Sequence, residues 1–99
     1  MKNFNIAISE EAFADAAKLA HYIKYDLKSP LTADNYMKEI DDAIQKLSFH
    51  ADSVGANEYI QTMFGSNVRH ITFKKMAIIF FIEEDVVYIL RIIPSAHIH

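Results

Sequence analysis

Near the end of this chain two apolar runs lie almost back to back: Met76 to Ile82, then Val86 to Ile93, with Glu83-Glu84-Asp85 between them. Arg91 is the one charged residue inside either run. A strand that is apolar on both faces must be covered on both, so the pair predicts the interior of a sheet, joined by a tight acidic turn. Pro94 has no N–H to give to a ladder and ends the second strand. The longest uninterrupted apolar run, Met76 to Ile82, has seven residues. A membrane-spanning helix needs roughly 20, so no membrane association is expected.

The flanking segments supply what such a sheet requires. Val68-Arg69-His70-Ile71-Thr72-Phe73 is β-prone and Lys74-Lys75 interrupts it, adding a neighbouring strand. Phe4, Ile6 and Ile8 alternate with Asn3, Asn5, Ala7 and Ser9, the period of a short strand with one face inward. That strand is remote in sequence from the others and has to dock laterally. Ser9-Glu10-Glu11-Ala12 then reads as a helix start, with a capping hydroxyl and acids at the positive end of the dipole. Phe13, Ala16, Ala17, Ala20, Ile23 and Leu27 give this helix an apolar stripe about four turns long. Ser29-Pro30 breaks it. A second helix follows, with Tyr36, Ile40, Ala43, Ile44 and Leu47 on its apolar side. From Ser48 to Asn67 turn formers surround Glu58-Tyr59-Ile60-Gln61-Thr62-Met63, which predicts a further short strand.

The order is that of an α+β fold: an N-terminal strand, an αα-hairpin, then a three- or four-stranded antiparallel meander, with the helices packed on one sheet face. Ninety-nine residues leave room for one core, hence one domain spanning 1–99. A chain this small spends its apolar residues on that core, so a surface groove is the expected kind of site. It has no cysteine, which excludes disulfide scaffolds, thiolate nucleophiles and finger-type zinc sites. Ten Lys+Arg against thirteen Asp+Glu give a net charge of −3, not the overall basic field of a nucleic-acid binder. The opening Met1-Lys2-Asn3-Phe4-Asn5 lacks the apolar segment of a secretory signal, so a cytoplasmic location is expected.

Several residues stand in this layout where they do in one family. They are Ser29-Pro30-Leu31-Thr32-Ala33 with Tyr36 entering the second helix, then Ile40, Ile44 and Leu47 along it. Gly55 follows in the loop, Gly65 precedes Val68-Arg69, and Val87-Tyr88-Ile89-Leu90-Arg91-Ile92-Ile93 closes the chain. In order and spacing the sequence resembles the RelE/ParE superfamily of toxins from bacterial type II toxin-antitoxin modules, the plasmid stabilisation proteins. The resemblance implies a toxin held silent by a cognate antitoxin. It also implies one of two activities: cleavage of mRNA on the ribosome, as a metal-independent endoribonuclease, or poisoning of DNA gyrase. Neither requires a cofactor. Oligomeric state is left open.

The resemblance also points to candidate catalytic residues. Arg69 matches the strand arginine of the superfamily's concave site, and its planar fork suits a phosphate. It is expected to project into an open trough, the alternative being an arginine paired with a carboxylate to hold the sheet. Arg91 lies where a second basic residue is common, with a structural ion pair as the alternative. Glu58 falls in the region where some ribonuclease members carry a catalytic glutamate, and otherwise reads as a surface carboxylate. His97 stands for the C-terminal acid or base of the RelE-like members. Here the sequence departs from the pattern: Pro94 occupies the place of the usual histidine, so His97 acts only if the tail folds back. His97 and His99 have a metal-compatible spacing but no third ligand in view, and no metal is expected. The lysines that ribosome-dependent members carry before the central arginine have no counterpart between Gly55 and Val68. Phosphate contacts need local positive charge, so their absence favours a ParE-like toxin, or a non-toxic protein-binding module of the same fold with an eroded active site.

Overall fold

The computed structural model describes residues 3–65 and 67–97. Strand β1 (Asn5–Ile8) leads into helix α1 (Glu10–His21), which continues as a π-helical segment (Tyr22–Asp26). Helix α2 (Pro30–His50) follows, then a 3-10 turn (Ala51–Ser53) and helix α3 (Glu58–Phe64). Strands β2 (Val68–Phe73), β3 (Met76–Glu83) and β4 (Val86–Pro94) complete the sheet, and a 3-10 turn (Ser95–His97) ends it. No helix among the described residues is long and apolar enough to cross a membrane.

The sheet order is β1-β4-β3-β2, so the two apolar runs occupy the interior, as their lack of alternation requires. Met76 through Phe80 are all buried. β2, β3 and β4 form an antiparallel meander, and β1 docks on β4 in parallel, pairing Asn5 to Ile8 with Val86 to Ile89. Lys74 and Glu84 turn the two hairpins with positive φ. A register shift at Ile79/Phe80 leaves Leu90 unpaired in the β3–β4 ladder. One extra residue reverses the alternation, so Ile89 and Ile92, three apart, both reach the same core.

That core lies between the sheet and the helix pair: Phe4, Ala12, Ile40, Ile44 and Leu47 pack on Ile78, Phe80, Val87, Ile89 and Ile92. Ser9 caps α1 as expected, its Oγ accepting from Ala12 N–H at 3.0 Å while donating to the Leu90 carbonyl at 2.9 Å. Of the expected stripe, Ala16 in α1 and Ile23 in the π-helical segment lie inward, joined by Ala12 and Leu19, whereas Phe13, Ala17 and Leu27 face solvent. Alanines fit either face and do not fix the phase. The π-helical turn, closed by Leu27 N–H to the Tyr22 carbonyl at 3.1 Å, also carries Leu27 off the α-helical spacing.

The expected strand at Glu58 to Met63 is instead α3. Asn57 caps it, Oδ1 accepting from Ile60 N–H at 3.0 Å, and Ile60 and Phe64 fall four apart on one face. They pack on Val68, Ala77, Ile79, Phe81, Leu90 and Ile93, the opposite face of the sheet from the helix pair. A seven-residue helix therefore covers what would otherwise be an exposed apolar sheet face.

Candidate functional site

Arg69 lies in the edge strand β2 with Ile71 and Phe73 on its side, as strand phase dictates. Its Nη1 donates to the Ala51 carbonyl at 3.2 Å, and its backbone bridges Ala56 in antiparallel fashion. The residue is half-buried and straps the loop after α2 onto the sheet edge. Its partner is a main-chain carbonyl, not the carboxylate considered from sequence. A guanidinium has five N–H donors, so among the described residues most of its hydrogen-bonding capacity and its full charge are left over. The recess beside it, about 180 Å³, is lined by Ala56, Gln61, Asn67, Val68 and Ile82. None of these side chains can take or give a proton near neutral pH. The open trough of the sequence reading is thus a small, shallow recess.

Arg91 is committed elsewhere. Beyond Ile8, β1 no longer pairs with β4, and the edge of β4 faces α1. Asp15 meets it there: Oδ2 accepts from Arg91 Nε at 2.7 Å and from Ile92 N–H at 2.9 Å, while Oδ1 accepts from Arg91 Nη2 at 3.0 Å. Burial pushes the Asp15 carboxyl up, but the Arg91 hydrogen bonds, the Ile92 N–H and the charges of Arg91 and Lys18 outweigh it and hold the group below its usual range. The same hydrogen bonds raise the Arg91 guanidinium. Asp15 was not among the residues singled out from the sequence. The signal that could have found it is its position at i+3 from Ala12 and i−4 from Leu19, on the flank of the buried face.

Glu58 sits exposed in the first turn of α3 and does not line the Arg69 recess. Its location follows from the correction of strand to helix: as an N-terminal helix residue it complements the dipole. His97 ends the last 3-10 turn. The His97 side chain and all of His99 lie outside the described residues. Among the described residues no cluster of His, Asp or Glu could hold a metal ion.

The order of elements along the chain, the αα-hairpin on one sheet face and Arg69 in its strand are among the features on which the superfamily resemblance rested. Residues 6–98 match the family described as ParE toxin of type II toxin-antitoxin system, parDE. The chain belongs to the ParE toxin family. A solved structure described as the chromosomal ParDE TA system from P. aeruginosa is similar in fold, with a TM-score of 0.74 and 22% identity over 92% of this chain and 95% of that one. No curated protein matches.

In this ParE-family toxin the Asp15–Arg91 pair forms one wall of a second, larger groove of about 500 Å³ between α1 and the end of β4, lined also by Lys18, Leu19, Tyr22 and Pro94. His70, next to Arg69 in β2, has a buried Nδ1 with no hydrogen-bond partner among the described residues, and burial holds its pKa below the ordinary 6.5. At neutral pH it is an uncharged neighbour of Arg69.

Proposed function

We propose that this ParE-family toxin arrests bacterial growth by poisoning DNA gyrase rather than by cleaving RNA, and that a cognate antitoxin neutralises it. The observation that carries the reading is the surroundings of Arg69. Metal-independent RNA cleavage needs a base for the 2′-hydroxyl and an acid for the leaving oxygen within reach of the phosphate. The described recess offers alanine, glutamine, asparagine, valine and isoleucine instead, Glu58 is outside it, and Arg91 is held by Asp15. The missing lysines and Pro94 in place of the usual histidine support the same reading. Arg69 then serves to contact an anionic group of a partner, with its uncompensated charge and spare donors. Plasmid stabilisation is the biological role that fits a toxin of this kind.

The test sets purified toxin against two substrates in parallel: DNA supercoiling by gyrase, and translation of a defined mRNA in a reconstituted system with mapping of mRNA ends. The expected result is inhibited supercoiling with accumulated cleaved DNA and no toxin-dependent mRNA ends. New mRNA ends with gyrase unaffected would overturn the proposal. No effect in either assay, together with normal growth on induction, would instead support a non-toxic binding module.

A further inference from the structure

The tip of the αα-hairpin carries an unusual concentration of exposed apolar surface. Within ten residues Tyr22, Tyr25, Leu27 and Leu31 are 49%, 56%, 56% and 73% exposed. Core formation does not explain them, since this tip is anchored by Ile23 and Ala33 alone among its buried residues. The backbone there is also costly. Tyr22–Asp26 is π-helical, a geometry that recurs at functional sites. Lys28 is left-handed at φ 53, a conformation that favours glycine. The turn is nevertheless firmly closed, with Ser29 N–H donating to the Ile23 carbonyl at 3.1 Å and Ala33 N–H to the Ser29 carbonyl at 2.9 Å. A rigid presentation of apolar groups lowers the entropy lost when a partner is bound.

Charge decides what partner fits. Lys18, Lys24 and Lys28 stand around the tip against Asp26 and Asp34, a local excess of one positive charge on a chain whose net charge is −3. Lys24 lies 5.5 Å from the centre of the Tyr25 ring, whose other contact is His21 at 4.5 Å. A second copy of this chain meeting the tip through a two-fold axis would set these lysines against themselves. A nucleic acid would satisfy the lysines but leave Leu27 and Leu31 with nothing apolar to cover them. Exposed tyrosine and leucine ringed by lysine suit a protein surface that presents carboxylates around an apolar recess.

We infer that the hairpin tip formed by Tyr22, Tyr25, Leu27 and Leu31, with Lys24 and Lys28, is the surface by which the toxin docks on an acidic, partly apolar site of its protein target. The inference rests on the proposal that the target is a protein, and it assigns that contact to the tip, away from Arg69.

The experiment compares wild type with Leu31→Ser/Tyr25→Ala, with Lys24→Glu/Lys28→Glu, and with the control Phe49→Ser. Phe49 is equally exposed but lies about 27 Å along α2 from Leu31. Thermal unfolding verifies that each variant folds. The expected result is at least a tenfold loss of growth-inhibitory potency and of supercoiling inhibition in both tip variants, with the control unchanged. In the charge-reversal variant the loss diminishes as salt is raised. Folded tip variants as toxic as wild type would overturn the inference, as would a wild type without toxicity. Tip-dependent binding of a DNA oligonucleotide alone, followed by fluorescence anisotropy, would overturn the choice of a protein partner. Wild-type growth arrest that depends on the tip but leaves gyrase untouched would keep the docking surface and discard gyrase as the target.

Discussion

Removing the Asp15 carboxylate exposes how the sheet edge is finished. The Asp15→Ala substitution breaks two charge-assisted bonds to Arg91 and leaves the Ile92 N–H without its acceptor. The Arg91 side chain is 41% exposed and the Asp15 side chain 16%, so water compensates much of the ion pair, and its share is about 0.5–1 kcal/mol. The orphaned Ile92 N–H costs about 1–2 kcal/mol more. A total near 2 kcal/mol corresponds to a fall in Tm of about 8–16 °C for a domain of this size. Urea unfolding followed by circular dichroism measures it, and a loss under about 0.5 kcal/mol would refute the account of Asp15 as the strand's missing edge partner. The pH dependence has a fixed sign. Because the folded-state pKa of Asp15 is depressed, its contribution is complete above the unfolded value near 3.9 and disappears as pH falls through the lower folded value. Wild type and Asp15→Ala should therefore converge in stability only in strong acid.

Other perturbations test separate parts of the structure. His70 is held neutral by burial with its pKa below 6.5, so the unfolded state takes up its proton first. Stability should fall as pH drops below about 6.5 and level off below the folded pKa, and His70→Gln should flatten that slope in pH-dependent unfolding. Asn57→Ala removes the cap of α3 and should cost about 1 kcal/mol, seen as a lower urea midpoint. Lys28→Gly relieves a left-handed lysine and should raise stability by up to about 1 kcal/mol; a loss would mean that the lysine side chain supports the turn. Ile79→Ala opens a cavity between β3 and α3 and should cost about 2–5 kcal/mol by equilibrium unfolding.

Much of the fold was legible where local pattern and burial agree. Met76 to Phe80 could be placed inside the sheet because no solvated face was left for them, and Ser9 announced α1 because a capping hydroxyl acts within one turn. Reading failed where two periodicities were equally available. Glu58-Tyr59-Ile60-Gln61-Thr62-Met63 has β-prone residues, yet Asn57 and the spacing of Ile60 and Phe64 make it a helix once a bare sheet face is there to cover. The phase of α1 was read only in part, Ala16 and Ile23 inward but Phe13, Ala17 and Leu27 outward, because its alanines accept either environment. Of the candidate site, Arg69 was picked out through the superfamily resemblance, whereas its carbonyl partner was not legible, since a main-chain acceptor leaves no mark in a side-chain pattern.

Chain order, the starts of β1, α1 and α2, and the number of interior strands were determined by the sequence, because each follows from interactions within a few residues or from the need to hide a continuous apolar run. Which charges are neutralised and which are left over was decided by the tertiary structure. Arg69 and Arg91 are alike as letters, but the chain brings Asp15 to one of them across 76 positions and, among the described residues, a backbone carbonyl to the other. Electrostatic partners are chosen by distance in space, and that distance exists only after the sheet has twisted the helix pair over its face.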